Sequence, residues 1–527
     1  MDFTIRHGTV IDGTGGPRFV ADVLVRDGKI SAVEPSLPPV GEVIDANGMI
    51  VCPGFIDMHT HSQLVVFAEP NLPMKVAQGI TTELFGQDGL GTFPMVADAS
   101  AMWRTHLSGL DCNPLIDWNW RDAEQYLHRL PRPSVNVATL VGHGNLRLCV
   151  MGMEDRPATD DELRQMGILL EQSLAEGAFG MSTGLIYAPC AYADTRELIY
   201  LNRIVAKHGG IFVTHMRNEG DTIWSALDEV FDLARISGAH LHISHLKIAG
   251  RNNWGQGRQL VQRIEEGRAA GLKITADQYP YEAGSTMLAS LLPVWAHAGG
   301  VAQLRGRLRD PGVLARIKTD MEQGIPGGRN MVREAGYDHI GVSYTASDRH
   351  SDVEGHTLSE IAGLWKVEPF EAVVRLLLDE DFAVGMISFM IGEEDIRTIL
   401  RAPWRAMGTD GLLGGKPHPR AYGSCPRILG HYTRDLGLLT LEESIRKMTS
   451  LPAEILHLSD RGVIQRGKAA DLVIFNLQTI SDRSSYEDPR QYPEGIPYVF
   501  VNGRTVISAG RFTGERPGQL LWHSAGA

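Results

Sequence analysis

The stretch Pro53-Gly54-Phe55-Ile56-Asp57-Met58-His59-Thr60-His61 decides the fold. Val51 and Cys52 precede it, so it reads as a short buried strand, entered through Pro-Gly and ending in two histidines two residues apart. Side chains at i and i+2 of a strand share a face, so His59 and His61 aim both imidazoles at one point just past the strand end. In a parallel α/β barrel the chemistry gathers at the C-terminal ends of the strands. A His-x-His by itself is weak evidence, because many occur in loops. Its weight depends on whether other strand ends supply further ligands.

Strand-like runs at 82–86, 135–143, 177–182, 210–215, 240–245, 273–279 and 405–410 each end in polar residues or glycine. Apolar residues at three- and four-residue spacing predict helices between many of them, most clearly over 160–176 and 221–237. Together with 51–59 the count is eight, that of a (β/α)8 TIM-like barrel. Four of the strand ends carry a ligand type: His59 and His61 on strand one, His215 on five, His245 on six and Asp410 on eight. A single histidine there is ordinarily satisfied by a carbonyl. Several strand ends that all finish in His or Asp point instead to a metal. Imidazole and carboxylate suit zinc, and a catalytic zinc site keeps one position open for water.

With 527 residues the chain exceeds one ordinary core. Residues 2–50 alternate short apolar runs with Asp27-Gly28 and Asn47-Gly48 turns, and the C-terminal part repeats that style at 467–475 and 498–504. The expected organisation is a small β-sandwich domain built from 1–50 and 455–527, flanking a catalytic barrel over 51–454. From Tyr281 to Thr409 the chain is far longer than the roughly 31 residues of one βα unit in a ~250-residue barrel. An insertion is therefore expected around 284–350, either a lid over the site or a neutral surface excursion.

Apolar residues make up 43% and charged residues 21%, a globular profile. The net charge of −13 argues against non-specific nucleic-acid binding. Five cysteines without a C-x-x-C pair argue for a reducing, cytoplasmic setting. The N-terminus shows no apolar signal-peptide core, and no run of about 18 apolar residues predicts a membrane span.

The ligand pattern resembles the amidohydrolase superfamily of metal-dependent barrel hydrolases, over essentially the whole chain. Longer blocks resemble its N-acyl-D-amino-acid deacylase (D-aminoacylase) family: Thr214-His215-Met216-Arg217-Asn218-Glu219, Ser244-His245-Leu246-Lys247-Ile248-Ala249-Gly250, Asp277-Gln278-Tyr279-Pro280-Tyr281 through Ser285-Thr286, and His418-Pro419-Arg420. The resemblance implies one or two zinc ions on His59, His61, His215, His245 and Asp410, with Asp410 moving the proton from water to the leaving amine. It implies that Lys247 and Tyr281, assisted by Ser285, hold the α-carboxylate of a small N-acyl amino acid, and carboxylates do need cationic and hydroxyl donors. Arg420 either binds an acidic side chain or braces the strand-eight loop.

Many superfamily members bridge two metals with a carboxylated lysine on strand four, but 177–187 contains no lysine. The deacylases use the cysteine of Gly-Asn-Cys-Gly after strand two, where this chain has Gly86-Gln87-Asp88-Gly89. Asp88 is the expected bridging ligand, and Glu83 inside strand two is its competitor. The implied activity is zinc-dependent hydrolysis of N-acyl-D-amino acids. The alternatives are a cyclic-amide hydrolase or dipeptidase on the same barrel, or a non-catalytic binding protein.

Overall fold

The computed structural model describes residues 2–112 and 114–523. Eight short parallel strands form its centre: Phe55–Asp57, Ile80–Phe85, Asn136–Thr139, Gly180–Gly184, Ile211–His215, His240–Ile243, Ile274–Gln278 and Arg405–Met407. Strands one to three pair in parallel, as do strands four to eight. Phe179 N–H donates to the Thr139 carbonyl at 2.9 Å between strands three and four. Met58 N–H donates to the Met407 carbonyl at 3.1 Å between strands one and eight, so the sheet closes. Every residue of strands one to five and of strands seven and eight is buried, as parallel sheets covered on both faces require. Alternate residues fill the interior: Ile56, Leu84, Ala138, Phe179, Ile211, Val213 and Ala406 form one cluster.

The helix predicted over 160–176 runs Asp160–Ala175 and starts in a capping box, with the Thr159 side chain on Glu162 N–H and Glu162 reaching back. The helix predicted over 221–237 starts two residues later, at Ile223, and ends at Gly238 in the left-handed region (φ +78°).

Strands from both termini make one nine-stranded sheet, in which Ile50–Pro53 pairs antiparallel with Leu472–Phe475. The period of two divides their side chains between two cores. Val51, Leu472 and Ile474 face the sheet's own core, whereas Ile50, Cys52, Val473 and Phe475 pack with Phe55, Ile80 and Met407 of the barrel. Val51 and Cys52, expected in barrel strand one, thus belong to the terminal sheet. The chain passes from sheet to barrel at Gly54, where a Cβ would lie 2.2 Å from the Thr81 hydroxyl oxygen. The C-terminal segment also departs from a purely flanking domain. It runs back along barrel strand three, with Leu521 N–H on the Val137 carbonyl, and Leu521 joins the interior cluster.

The insertion extends past 350. Ala283–Met287, Ile340–Thr345 and Val384–Phe389 form a three-stranded antiparallel sheet with the last strand in the middle. Among the described residues no helix is long and apolar enough to cross a membrane.

Candidate metal centre

Four strand ends and the turn after strand two converge on one cavity of about 30 Å3. Asp88, His245 and Asp410 sit in the left-handed region, at φ 58°, 33° and 49°. Non-glycine residues there carry strain of about 1–3 kcal/mol each, and such residues cluster at functional sites. At Asp88 the turn is held from below, where the Ser182 hydroxyl accepts from Gly89 N–H at 2.9 Å and donates to the Gly86 carbonyl.

The donor atoms form two groups that share Asp88: His59, His61, Asp88 and Asp410, and Asp88, His215 and His245. Asp88 Oδ2 lies 3.6 Å from both His59 Nε2 and His61 Nε2, and Asp410 Oδ1 lies 3.6 Å and 3.2 Å from the same two atoms. Asp88 Oδ1 faces the other pair, 3.8 Å from His215 Nδ1 and 3.6 Å from His245 Nε2. Ligands about 2.0 Å from one tetrahedral zinc stand about 3.3 Å from each other. Both ring nitrogens of His59 and His61, Nδ1 of His215 and Oδ1 of Asp88 are buried without a hydrogen-bond partner. Buried polar atoms in native proteins are nearly always paired, so a cluster of orphans with this spacing fits a pair of bridged metal ions. Glu83 belongs to neither group. Its Oε1 accepts from the Thr60 and Ser62 hydroxyls and pairs with the buried Lys75 at 3.0 Å.

Electrostatics prepares the site for cations. Burial opposes protonation of His59, yet the carboxylates of Asp410, Asp88 and Asp277 pull its imidazole up to about 10. The pocket therefore draws positive charge. Burial pushes His215 well below its ordinary value, which leaves a neutral imidazole, the form that can bind a metal. Burial works against the Asp88 anion, but His59 and His245 outweigh it and hold the carboxyl well below the usual range.

Each ligand histidine meets a carboxylate behind it: His59 Nδ1 with Asp277 at 3.6 Å, His61 Nδ1 with Asp111 at 3.4 Å, and His215 Nε2 and His245 Nδ1 with Glu219 at 3.4 and 3.1 Å. Such partners set ring orientation and raise ligand basicity. His242 in turn holds Asp277 at 3.1 Å. Glu219 also pairs with Lys247 Nζ at 2.5 Å and with Arg329 at 2.6 Å.

The cavity wall includes Lys247, Tyr279, Ser285, Tyr187, Arg329 and Met390. Two expected contacts are not brought there. Tyr281 turns away to stack on Arg427, at 4.8 Å, and against His418, whereas Tyr279, two residues earlier, lines the cavity; both hydroxyls are buried and unpartnered. The Tyr-Pro-Tyr segment offers two tyrosines, and nothing local says which one faces the strand-seven end. Arg420 is also outside the wall. It is fully buried, 2.9 Å from Asp410 Oδ2 and 4.4 Å over the Tyr279 ring, so it braces strand eight and does not reach a ligand. Ser285 lines the cavity, though its hydroxyl donates to the Met386 carbonyl at 2.8 Å.

Sequence reasoning also missed groups. Arg217 pairs with Glu229. Asp395, in the acidic run 393–395, is buried and accepts from Gly255 and Gly257 N–H. Asp277 could have been found, since it is an acid near the end of strand seven, as Asp410 is just past strand eight. Asp111 and Arg329 carry no local signal.

The family model of amidohydrolases matches residues 42–507. The chain belongs to the amidohydrolase family. It is 35% identical to an N-acyl-D-glutamate deacylase of Alcaligenes xylosoxydans xylosoxydans, covering 100% of this chain and 97% of the relative. It is equally identical to a D-aminoacylase of the same organism, covering 100% and 98%. A crystal structure of N-acyl-D-glutamate deacylase from Bordetella bronchiseptica, complexed with zinc and a phosphonate mimic of the tetrahedral intermediate, superposes with a TM-score of 0.82 at 34% identity, covering 99% of both chains. Within the amidohydrolases this chain has no lysine on strand four, Gly180–Gly184, and places a carboxylate, Asp88, between the two donor groups.

Proposed function

We propose that this amidohydrolase is a zinc-dependent hydrolase of N-acyl-D-amino acids, releasing a D-amino acid and a carboxylate. One observation carries the reading: two donor groups bridged by Asp88 share a single cavity with Lys247, Tyr279 and Ser285. Full-length relatives named as deacylases support the substrate class.

His59, His61, Asp88 and Asp410 would hold one zinc, and Asp88, His215 and His245 the other. When bound, zinc polarises the acyl carbonyl and acidifies the attacking water. Asp410 accepts the proton of that water. Burial resists its ionisation, but Arg420 and His59 outweigh this and hold the carboxyl below its ordinary value, so it starts as the base. It then gives the proton to the leaving nitrogen. Lys247 supplies the cation for the α-carboxylate, and the Tyr279 hydroxyl supplies a donor. Fixing the carboxylate holds the scissile amide in one orientation against the metal side of the cavity.

The test is a screen of N-acetyl and longer N-acyl amino acids of both hands, with zinc measured on the same sample. Hydrolysis of the D-series by zinc-loaded protein is expected. Exclusive hydrolysis of the L-series, or a zinc-free protein with full activity, overturns the reading.

A further inference from the structure

The catalytic cavity of about 30 Å3 has room for roughly two water molecules. Beside the donor groups there is thus no spare room for a long acyl chain. A second cavity of about 350 Å3 adjoins it, and Arg329 and Met331 line both. This chamber is walled by Ile186, Tyr192, Leu292, Val294, Trp295 and Ile325. Of its polar lining, Arg217 pairs with Glu229 and Asp320 accepts from Trp295 Nε1 at 2.8 Å, while the Ser290 hydroxyl is buried without a partner and Asp155 stands at the wall. A chamber of this volume, lined mostly by apolar side chains with a few polar groups among them, suits an aliphatic chain.

We infer that the chamber takes the acyl chain of the substrate, so that the preferred substrates are N-acyl-D-amino acids with medium-length aliphatic acyl groups. The inference rests on the deacylase reading. The carboxylate grip stands over barrel strands six and seven, at Lys247, Tyr279 and Ser285. The barrel side of the chamber comes from the segments after strands four and five, at Ile186, Tyr192 and Arg217. A trans amide sends its acyl carbon and its Cα in opposite directions. With the carboxylate held on one side, the acyl chain leaves on the other, toward the chamber. The D side chain branches from the same carbon as the carboxylate and stays on the near side, by Met386 and Met390.

Two substrate series separate the chain ends. In the first, D-alanine carries acetyl, butanoyl, hexanoyl or octanoyl groups. In the second, N-acetyl is fixed and the aliphatic side chain lengthens. The expected result is a rise in kcat/KM of about fourfold per methylene in the first series until the chamber fills, with no comparable rise in the second. Ile325→Asp, at the half-open rim, and separately Val294→Asp flatten the first series and leave N-acetyl-D-alanine within about twofold of the parent. A flat or falling acyl series, a rise confined to the side-chain series, or variants that keep the acyl dependence each overturn the assignment while leaving the deacylase reading intact. If no member of either series is hydrolysed, the deacylase reading fails first and this inference falls with it.

Discussion

In the proposed mechanism Asp410 is the residue on which turnover depends most directly. Its Oδ1 faces the ligand histidines, and its Oδ2 pairs with the buried Arg420. Asp410→Asn keeps the shape and one ligand oxygen but cannot take a proton. Turnover is expected to fall by about 10²–10⁴, the usual contribution of a positioned acid–base group, with zinc retained. Steady-state kinetics alongside metal analysis reads both, and full activity in this variant sinks the proton role. The two tyrosines give a second contrast at this scale. Tyr279→Phe removes an unpartnered hydroxyl from the cavity wall and should raise KM about tenfold, the loss of one hydrogen bond to a charged group. Tyr281→Phe, whose ring packs on Arg427, should leave KM within about twofold. Reversal of that order would put Tyr281 at the substrate.

At the level of elements, the strand ends and the carboxylates behind them act as one unit. Glu219 follows strand five yet touches ligands from strands five and six and a cation from the insertion. Glu219→Gln keeps the volume and removes the charge that orients His215 and His245 while balancing Lys247 and Arg329. Zinc affinity should drop about 10- to 100-fold, as for other residues behind metal ligands, measured by competition with a chelator. An unchanged affinity would show that the histidines are oriented without it. The eight barrel strands and the donors His59, His61, His215, His245 and Asp410, which the structure brings together, were legible because each is local: a buried run that ends in a donor residue. Asp88 was legible as a departure inside a short block. The grip was legible only in part, since Lys247 sits at i+2 from His245 on one strand end, whereas the choice between Tyr279 and Tyr281 depends on how a Pro-containing loop turns. Asp111 and Arg329 were invisible because their partners stand 50 and 110 residues away in the chain.

For the whole molecule, the proposed centre would tie the barrel ends together, because its donor groups come from strands one, five, six and eight and the turn after strand two. Stripping zinc with a chelator should abolish turnover and lower the midpoint of thermal unfolding, with both restored by added zinc, because a ligand that binds only the folded state stabilises it by mass action. A midpoint indifferent to zinc would mean that the acidic and cationic groups already balance without metal. By itself the sequence determined the barrel, the terminal β strands and the ligand types, since periodicity and strand-end chemistry are properties of neighbouring residues. Tertiary structure alone decided that Gly54 divides sheet from barrel, that the insertion runs on to a central third strand at Val384–Phe389, and that the C-terminal segment returns to strand three. It also decided which carboxylate joins the two donor groups. Glu83 and Asp88 are both buried acids near strand two, and only the left-handed turn at Asp88 aims its oxygens both ways, while Lys75 neutralises Glu83.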